Sequence, residues 1–235
     1  MDNLSQIFQI ISFLFSLVIL ALLWRRAFRS SEIHRFPRHL HDLPSKSGQV
    51  WILLAAAWTL GMLGTIAWIV HDLVTGTELN EFSIVDVFYI SRYTLLGCVL
   101  WLYPAPLPRR DGFWICGALL AGVVIAQLIY FKPITALLGG TWLGFLGQVM
   151  YLILDVGIIV LAWLRFRAPR PASWDRYVLL LVCAMLSYGT ANTINLTEYV
   201  FSLKVGTLQN VLWTLTDVLM LILALSGLQK MRNEE

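Results

Sequence analysis

Seven apolar runs alternate with polar connections along this chain. They are Ser5–Trp24, Val50–Val70, Ser83–Tyr103, Gly112–Phe131, Thr141–Leu164, Tyr177–Leu196 and Gly206–Leu225. Each holds about 20 residues, enough to cross a hydrocarbon layer of about 30 Å at the α-helical rise. None alternates apolar and polar over ten residues in the manner of a membrane β-barrel strand. The pattern predicts an all-α, integral membrane seven-helix bundle. Residues 1–227 form the transmembrane domain. Residues 228–235 form a short polar, helix-compatible tail.

Four runs carry polar and aromatic residues at helical spacing. In the fifth, Gln148, Tyr151 and Asp155 fall on one face. In the third, Asp86, Tyr89 and Tyr93 share a face, with Arg92 on its shoulder. The sixth presents Tyr188, Asn192 and Asn195, and the seventh Asn210, Trp213 and Asp217. A carboxylate in a membrane helix costs roughly 2.5–3.5 kcal/mol on insertion scales, so these faces should turn toward protein or water. Two readings of the stripes compete. As structure, the groups hydrogen-bond one another, each pair contributing about 0.6 kcal/mol. As function, they line a small-molecule pocket of aromatic walls and a few fixed polar groups. The thirteen residues just named are the candidate ligand-binding set. Arg92 lies about 14 Å along its helix and Asp217 about 16 Å from the same side, against about 21 Å for Asp155. Those depths predict an Arg92–Asp217 ion pair, with Asp155 the second choice.

Composition fixes the class. The chain of 235 residues is 58% hydrophobic and only 13% charged, with a mean hydropathy of +0.73. A soluble surface needs far more charge. The bilayer is therefore the expected partner, and no nucleic acid is. The placement of the positive charges predicts orientation. Arg25, Arg26, Arg29, Arg35, Arg38 and Lys46 fall in the first connection, Arg109 and Arg110 in the third, Arg165, Arg167, Arg170 and Arg176 in the fifth, and Lys230 and Arg232 in the tail. The opposite side holds only Lys132 and Lys204. The positive-inside rule then puts the N-terminus outside and the C-terminus in the cytoplasm. Met1–Asp2–Asn3 has no positive charge, so the first run reads as a retained span and not a cleaved signal.

Other features carry less. The first connection, residues 25–49, contains His34, His39 and His41 among basic residues. It reads as a topology-setting loop, or as an interfacial helix for anionic headgroups, and the histidine spacing matches no metal motif. Asp72, Glu78 and Glu81 make the second connection mildly acidic. Cys98, Cys116 and Cys183 all lie inside apolar runs and read as packing residues.

Several activities lack their residues. The seventh run has no Lys for a retinal Schiff base. Only His71 lies near a span, so paired histidines cannot hold a haem across the membrane. There is no HExxH and no phosphate-cradling glycine loop. Leu154 precedes Asp155 and Thr216 precedes Asp217, where an intramembrane aspartyl protease carries YD and GxGD. No cofactor is expected.

The phrases Val85–Asp86–Val87–Phe88–Tyr89 with Tyr93, Tyr151–Leu152–Ile153–Leu154–Asp155, Ala191–Asn192–Thr193, and Leu212–Trp213 through Ala224 resemble the multi-span input regions of bacterial membrane diguanylate cyclases and sensor histidine kinases. The resemblance covers runs three to seven. Such regions commonly carry Asp where this chain has Asn192. The resemblance implies a receptor in a bacterial inner membrane that passes its signal to a cytoplasmic partner or to an output domain joined after the seventh span. It also implies a homodimer. The expected function is reception of a small molecule in the polar-aromatic pocket, relayed through the last helix. The alternative is a small transporter that uses the buried Asp and Arg residues, as a proton-coupled carrier would. Against that alternative, the halves show no evident repeat and no paired Gly/Pro-broken helices.

Overall fold

The computed structural model describes the backbone of residues 3–32, 46–76, 83–133, 142–170, 172–201 and 207–232. Within those ranges the side chains of 3–6, 9, 30–32, 46–47, 142–148, 173, 199 and 227–232 are not described. Seven α-helices follow in order: α1 (Asn3–Glu32), α2 (Lys46–Thr75), α3 (Ile84–Leu102), α4 (Asp111–Ile125), α5 (Trp142–Arg167), α6 (Asp175–Phe201) and α7 (Leu208–Arg232). A π-helical turn, Ala126–Tyr130, extends α4, and a 3₁₀ turn, Ala172–Trp174, leads into α6. There are no strands among the described residues. All seven helices are long and apolar enough to cross a membrane. The chain is an integral membrane helix bundle.

Packing closes a ring. α1 lies against α2, α2 against α3, α3 against α5, α5 against α6, α6 against α7, and α7 returns to α1. α4 stands outside the ring and packs on α5. Its apolar residues explain that position. Phe113, Trp114, Leu120 and Leu128 are more than 60% exposed, whereas Gly122, Ala126 and Tyr130 are buried. A Cβ on Gly122 would lie 3.3 Å from the Ile153 Cα, so the missing side chain lets α4 approach the α5 backbone.

The connections with most Arg all fall at one end of the ring, here called the basic end. A large apolar core fills that half. Ile19, Leu23, Leu54, Leu96, Leu100, Met185, Met220 and Leu223 are buried together. The polar-aromatic residues occupy the other half.

One boundary differs from that read in the sequence. α1 runs on to Glu32, so Arg25, Arg26 and Arg29 are helical and the first connection is shorter than residues 25–49. α7 continues unbroken to Arg232, so the helix-compatible tail after residue 227 starts as a continuation of the seventh helix. His34, His39, His41, Glu78 and Glu81 lie outside the described residues.

Two arginines counted as loop charges are in fact buried. Arg26 is 7% exposed, and its guanidinium carbon lies 4.2 Å from the Trp51 ring centroid. Arg165 is 1% exposed. Its Nε donates to the Leu100 carbonyl at 2.6 Å, and its Nη2 to the carbonyls of Trp101 and Ala105 at 2.8 Å each. The cause is local. In a continuing helix the Leu100 carbonyl would accept from the N–H of residue 104. That residue is Pro104, which has none. Arg165 supplies the missing donor from α5.

Candidate functional site: a polar-aromatic core

α3 begins with a capping box. Ser83 Oγ accepts from the Val85 N–H at 3.2 Å, and Asp86 Oδ2 accepts from the Ser83 N–H at 2.6 Å. The other oxygen, Asp86 Oδ1, accepts from the Tyr151 hydroxyl at 2.6 Å. Asp86 thus fixes the start of α3 and ties it to α5. One turn on, the Tyr89 hydroxyl shares a hydrogen bond with Thr65 of α2 at 3.1 Å.

Next comes the centre of the ring. The buried Tyr93 hydroxyl donates to Asp155 Oδ1. Asn192 Nδ2 donates to the Tyr93 oxygen at 2.8 Å and to Asp155 Oδ1 at 3.2 Å. Trp213 Nε1 donates to Asn192 Oδ1 at 2.8 Å. This chain joins α3, α5, α6 and α7 through four side chains. It also meets the requirement that a buried polar group be hydrogen-bonded. Tyr89, Tyr93, Tyr151 and Tyr188 surround it, with ring centroids 5.7 to 6.5 Å apart along the series Tyr89–Tyr151–Tyr93–Tyr188.

Arg92 does not form the expected ion pair. Among the described residues, no carboxylate lies within ion-pair distance of it. Its guanidinium carbon instead sits 4.8 Å from the Trp58 ring centroid and 4.6 Å from that of Tyr188. Its buried Nε has no hydrogen-bond partner. The physical reason is competition for Asp217. That carboxylate accepts from Ser12 and, at 3.4 Å, from Ser16, both on α1. Asp155, the second choice, is taken by Tyr93 and Asn192. Helix depth placed Arg92 and Asp217 at one level but said nothing of the hydroxyls on α1.

Glycine makes the space. A Cβ on Gly61 would lie 2.9 Å from Arg92 Nη1 and 3.0 Å from its Cδ. A Cβ on Gly64 would lie 3.1 Å from the Tyr89 Cζ. The α2 surface at Gly61 and Gly64 is therefore a notch that receives two α3 side chains.

The remaining candidates divide. Asn195 is exposed and accepts from Gln209 Nε2 at 3.5 Å, away from the Tyr93–Asp155 centre. Asn210 is buried on α7, where its carbonyl accepts from Thr214. Gln148 falls on α5, but its side chain is outside those described.

No known protein family matches this chain. No curated protein and no solved structure matches it either.

The structure adds residues that sequence reasoning passed over: Ser12, Ser16, Trp58, Gly61, Gly64 and Thr65. Gly61 and Gly64 at i and i+3 of an apolar run were one legible signal, because paired small residues mark close helix contact. Ser12 and Ser16 continue a polar series with Ser5 and Gln9, spaced i, i+4, i+7 and i+11 along one face of the first run, a second signal open to the same reasoning. Trp58 and Thr65 stand out in no pattern.

Among the described residues, no group of three or more His, Cys, Asp or Glu side chains is placed to hold a metal ion. The core offers one guanidinium between aromatic faces, two buried carboxyl groups, an amide and four phenols. That set fits recognition of a polar small molecule by charge, hydrogen bonding and stacking.

Proposed function

We propose that the chain is a membrane-embedded sensor that binds a small molecule in the polar-aromatic core and relays occupancy through α7. The basic end would face the cytoplasm, with the N-terminus outside, following the positive-inside rule. A bacterial inner membrane, a homodimeric assembly and a cytoplasmic signalling partner or attached output domain accompany this reading. They rest on the resemblance of the Asp86, Asp155, Asn192 and Trp213 phrases to input regions of bacterial receptors.

The observation that carries the proposal is Arg92. A guanidinium inside a membrane bundle is costly unless its donors are used. This one is stacked between Trp58 and Tyr188, with Nε lacking a hydrogen-bond partner and no carboxylate at ion-pair distance. A ligand with an anionic or strongly accepting group would complete it. The relay is supported by where α7 enters the core. Trp213 holds Asn192, and Asp217 holds Ser12 and Ser16. A ligand that competes for Asn192 would loosen α7 from α6, and α7 runs on to Arg232. Binding shifts such an equilibrium only through different affinity for the two arrangements.

The carrier reading keeps one observation in its favour. Asp155 and Asp217 are both buried, and neither has a cation at ion-pair distance, the form a proton-coupled site would take.

A thermal-shift panel tests the sensor reading. Small carboxylates, phosphates and neutral metabolites are added to the purified protein in detergent. At least one anionic compound should raise the wild-type midpoint, by an amount equivalent to about 2.7 kcal/mol when present at 100 times its dissociation constant. Arg92→Gln should abolish the shift. Midpoints unmoved by the panel, or a shift that survives in Arg92→Gln, would remove the argument from Arg92. Uptake of the stabilising compound into liposomes would favour the carrier.

A further inference from the structure

A second feature lies at the basic end, away from the polar-aromatic core. A cavity of about 100 Å³ opens between α1, α2, α3, α5, α6 and α7. That is several times the roughly 10–15 Å³ one water needs by the same measure. Two guanidiniums line it, Arg26 and Arg165. Four aromatic side chains, Trp51, Tyr103, Trp174 and Tyr177, line it as well, and the rest of its wall is aliphatic. No acidic side chain is among the lining residues.

The two cations are held in place by different means. Arg26 lies over the Trp51 ring, and Trp51 meets Tyr177 edge to face at 6.1 Å. Tyr177 in turn meets Trp174 at 6.4 Å. Arg165 gives Nε and Nη2 to three carbonyls, and Nη1 takes no part in those bonds. Carbonyls satisfy its donors but leave its charge in place. Two guanidiniums on the wall of one otherwise apolar cavity suit an anionic group bound against them. The level in the membrane agrees. The cavity lies at the helix ends, where Trp and Tyr gather at the interface and arginines meet lipid phosphates.

We infer that this cavity binds an anionic amphiphile, with the charged headgroup between Arg26 and Arg165 and the apolar chain along the aliphatic and aromatic wall. The headgroup chemistry is a phosphate or carboxylate, matched to guanidinium forks. The site shares no side chain with the Arg92 core and stands whether or not that core binds a ligand.

The test uses the full chain in a neutral detergent with three probes: a short-chain phosphatidylglycerol, the phosphatidylcholine with the same chains, and sodium phosphate. Phosphatidylglycerol should raise the thermal midpoint in a saturable way, and the other two should not. Arg26→Gln and the cavity-filling Val178→Phe should each weaken its apparent affinity about tenfold. Arg92→Gln should leave it unchanged. Size exclusion and circular dichroism check that each variant folds, and Arg26→Gln decides alone if Val178→Phe does not. An equal shift from phosphatidylcholine would overturn the role of charge. An equal shift from phosphate would overturn the role of the chain. Unchanged affinity in the folded variants would overturn the location.

Discussion

Arg165→Ala lowers stability more than other single substitutions in this bundle, by about 3–5 kcal/mol. The size follows from what the side chain does. It is 1% exposed and holds the carbonyls of Leu100, Trp101 and Ala105, the last turn of α3 and the chain just beyond it. Pro104 has no N–H to give Leu100, so removing the guanidinium leaves that carbonyl without its donor and opens a void beside it. For a chain of this size the loss corresponds to a fall of about 10 °C in the thermal midpoint. Arg165→Lys should recover only part of it, because one ammonium cannot reproduce a planar fork reaching three acceptors. Arg167→Ala, two residues on, is the control. Its side chain is exposed, and its loss should change the midpoint by less than about 2 °C. Equal effects at the two positions would mean that Arg165 acts only as a loop charge.

Gly61→Leu has the next largest effect, a loss of about 3 kcal/mol. Helix propensity alone predicts the opposite sign, since Leu exceeds Gly by about 0.8 kcal/mol in a helix interior. The clash decides. The first added carbon already lies 2.9 Å from Arg92 Nη1 and 3.0 Å from Cδ. Ala at this position needs the guanidinium to move by a few tenths of an ångström. Leu needs it to leave the space between Trp58 and Tyr188. That costs the overpacking strain of about 1–3 kcal/mol together with cation–π contacts that contribute about 2 kcal/mol when desolvated. Gly117 on α4 is the contrast, because a Cβ there meets nothing within 4 Å. Gly117→Ala should be neutral or slightly stabilising. Thermal midpoints of the three variants measure this directly. A stabilised Gly61→Leu would show that α2 and α3 are not packed around Arg92.

Much of the architecture was legible in the sequence, for a physical reason. A membrane helix must satisfy its backbone internally and present about 20 apolar residues, so length and hydropathy alone mark all seven spans. The inward faces of α3, α5, α6 and α7 followed from helical spacing. Asp86, Tyr89, Tyr93, Tyr151, Asp155, Tyr188, Asn192 and Trp213 do meet in one half of the ring. The partners within that set were not legible. Which hydroxyl reaches which carboxylate depends on helix rotation and on neighbours distant in sequence. Ser12 and Ser16 lie about two hundred positions from Asp217, in a first run whose polar stripe, Ser5, Gln9, Ser12 and Ser16, carries no charge to single it out. Arg165 was misread for a related reason. A basic residue just after an apolar run looks like a topology signal, and its capture by the broken end of α3 depends on a Pro sixty-one positions earlier.

The stability coupling between Arg92 and Asp217 tests the central claim most directly. Arg92→Gln, Asp217→Asn and the double variant form one cycle, read as unfolding free energies in detergent. Arg92 held by aromatic rings and open to a ligand, with no direct ion pair to Asp217, predicts a small coupling, below about 1 kcal/mol. A coupling of about 2 kcal/mol or more, with Arg92→Gln rescuing Asp217→Asn, would mean that the two charges already neutralise each other and that the core has no cation left for a ligand.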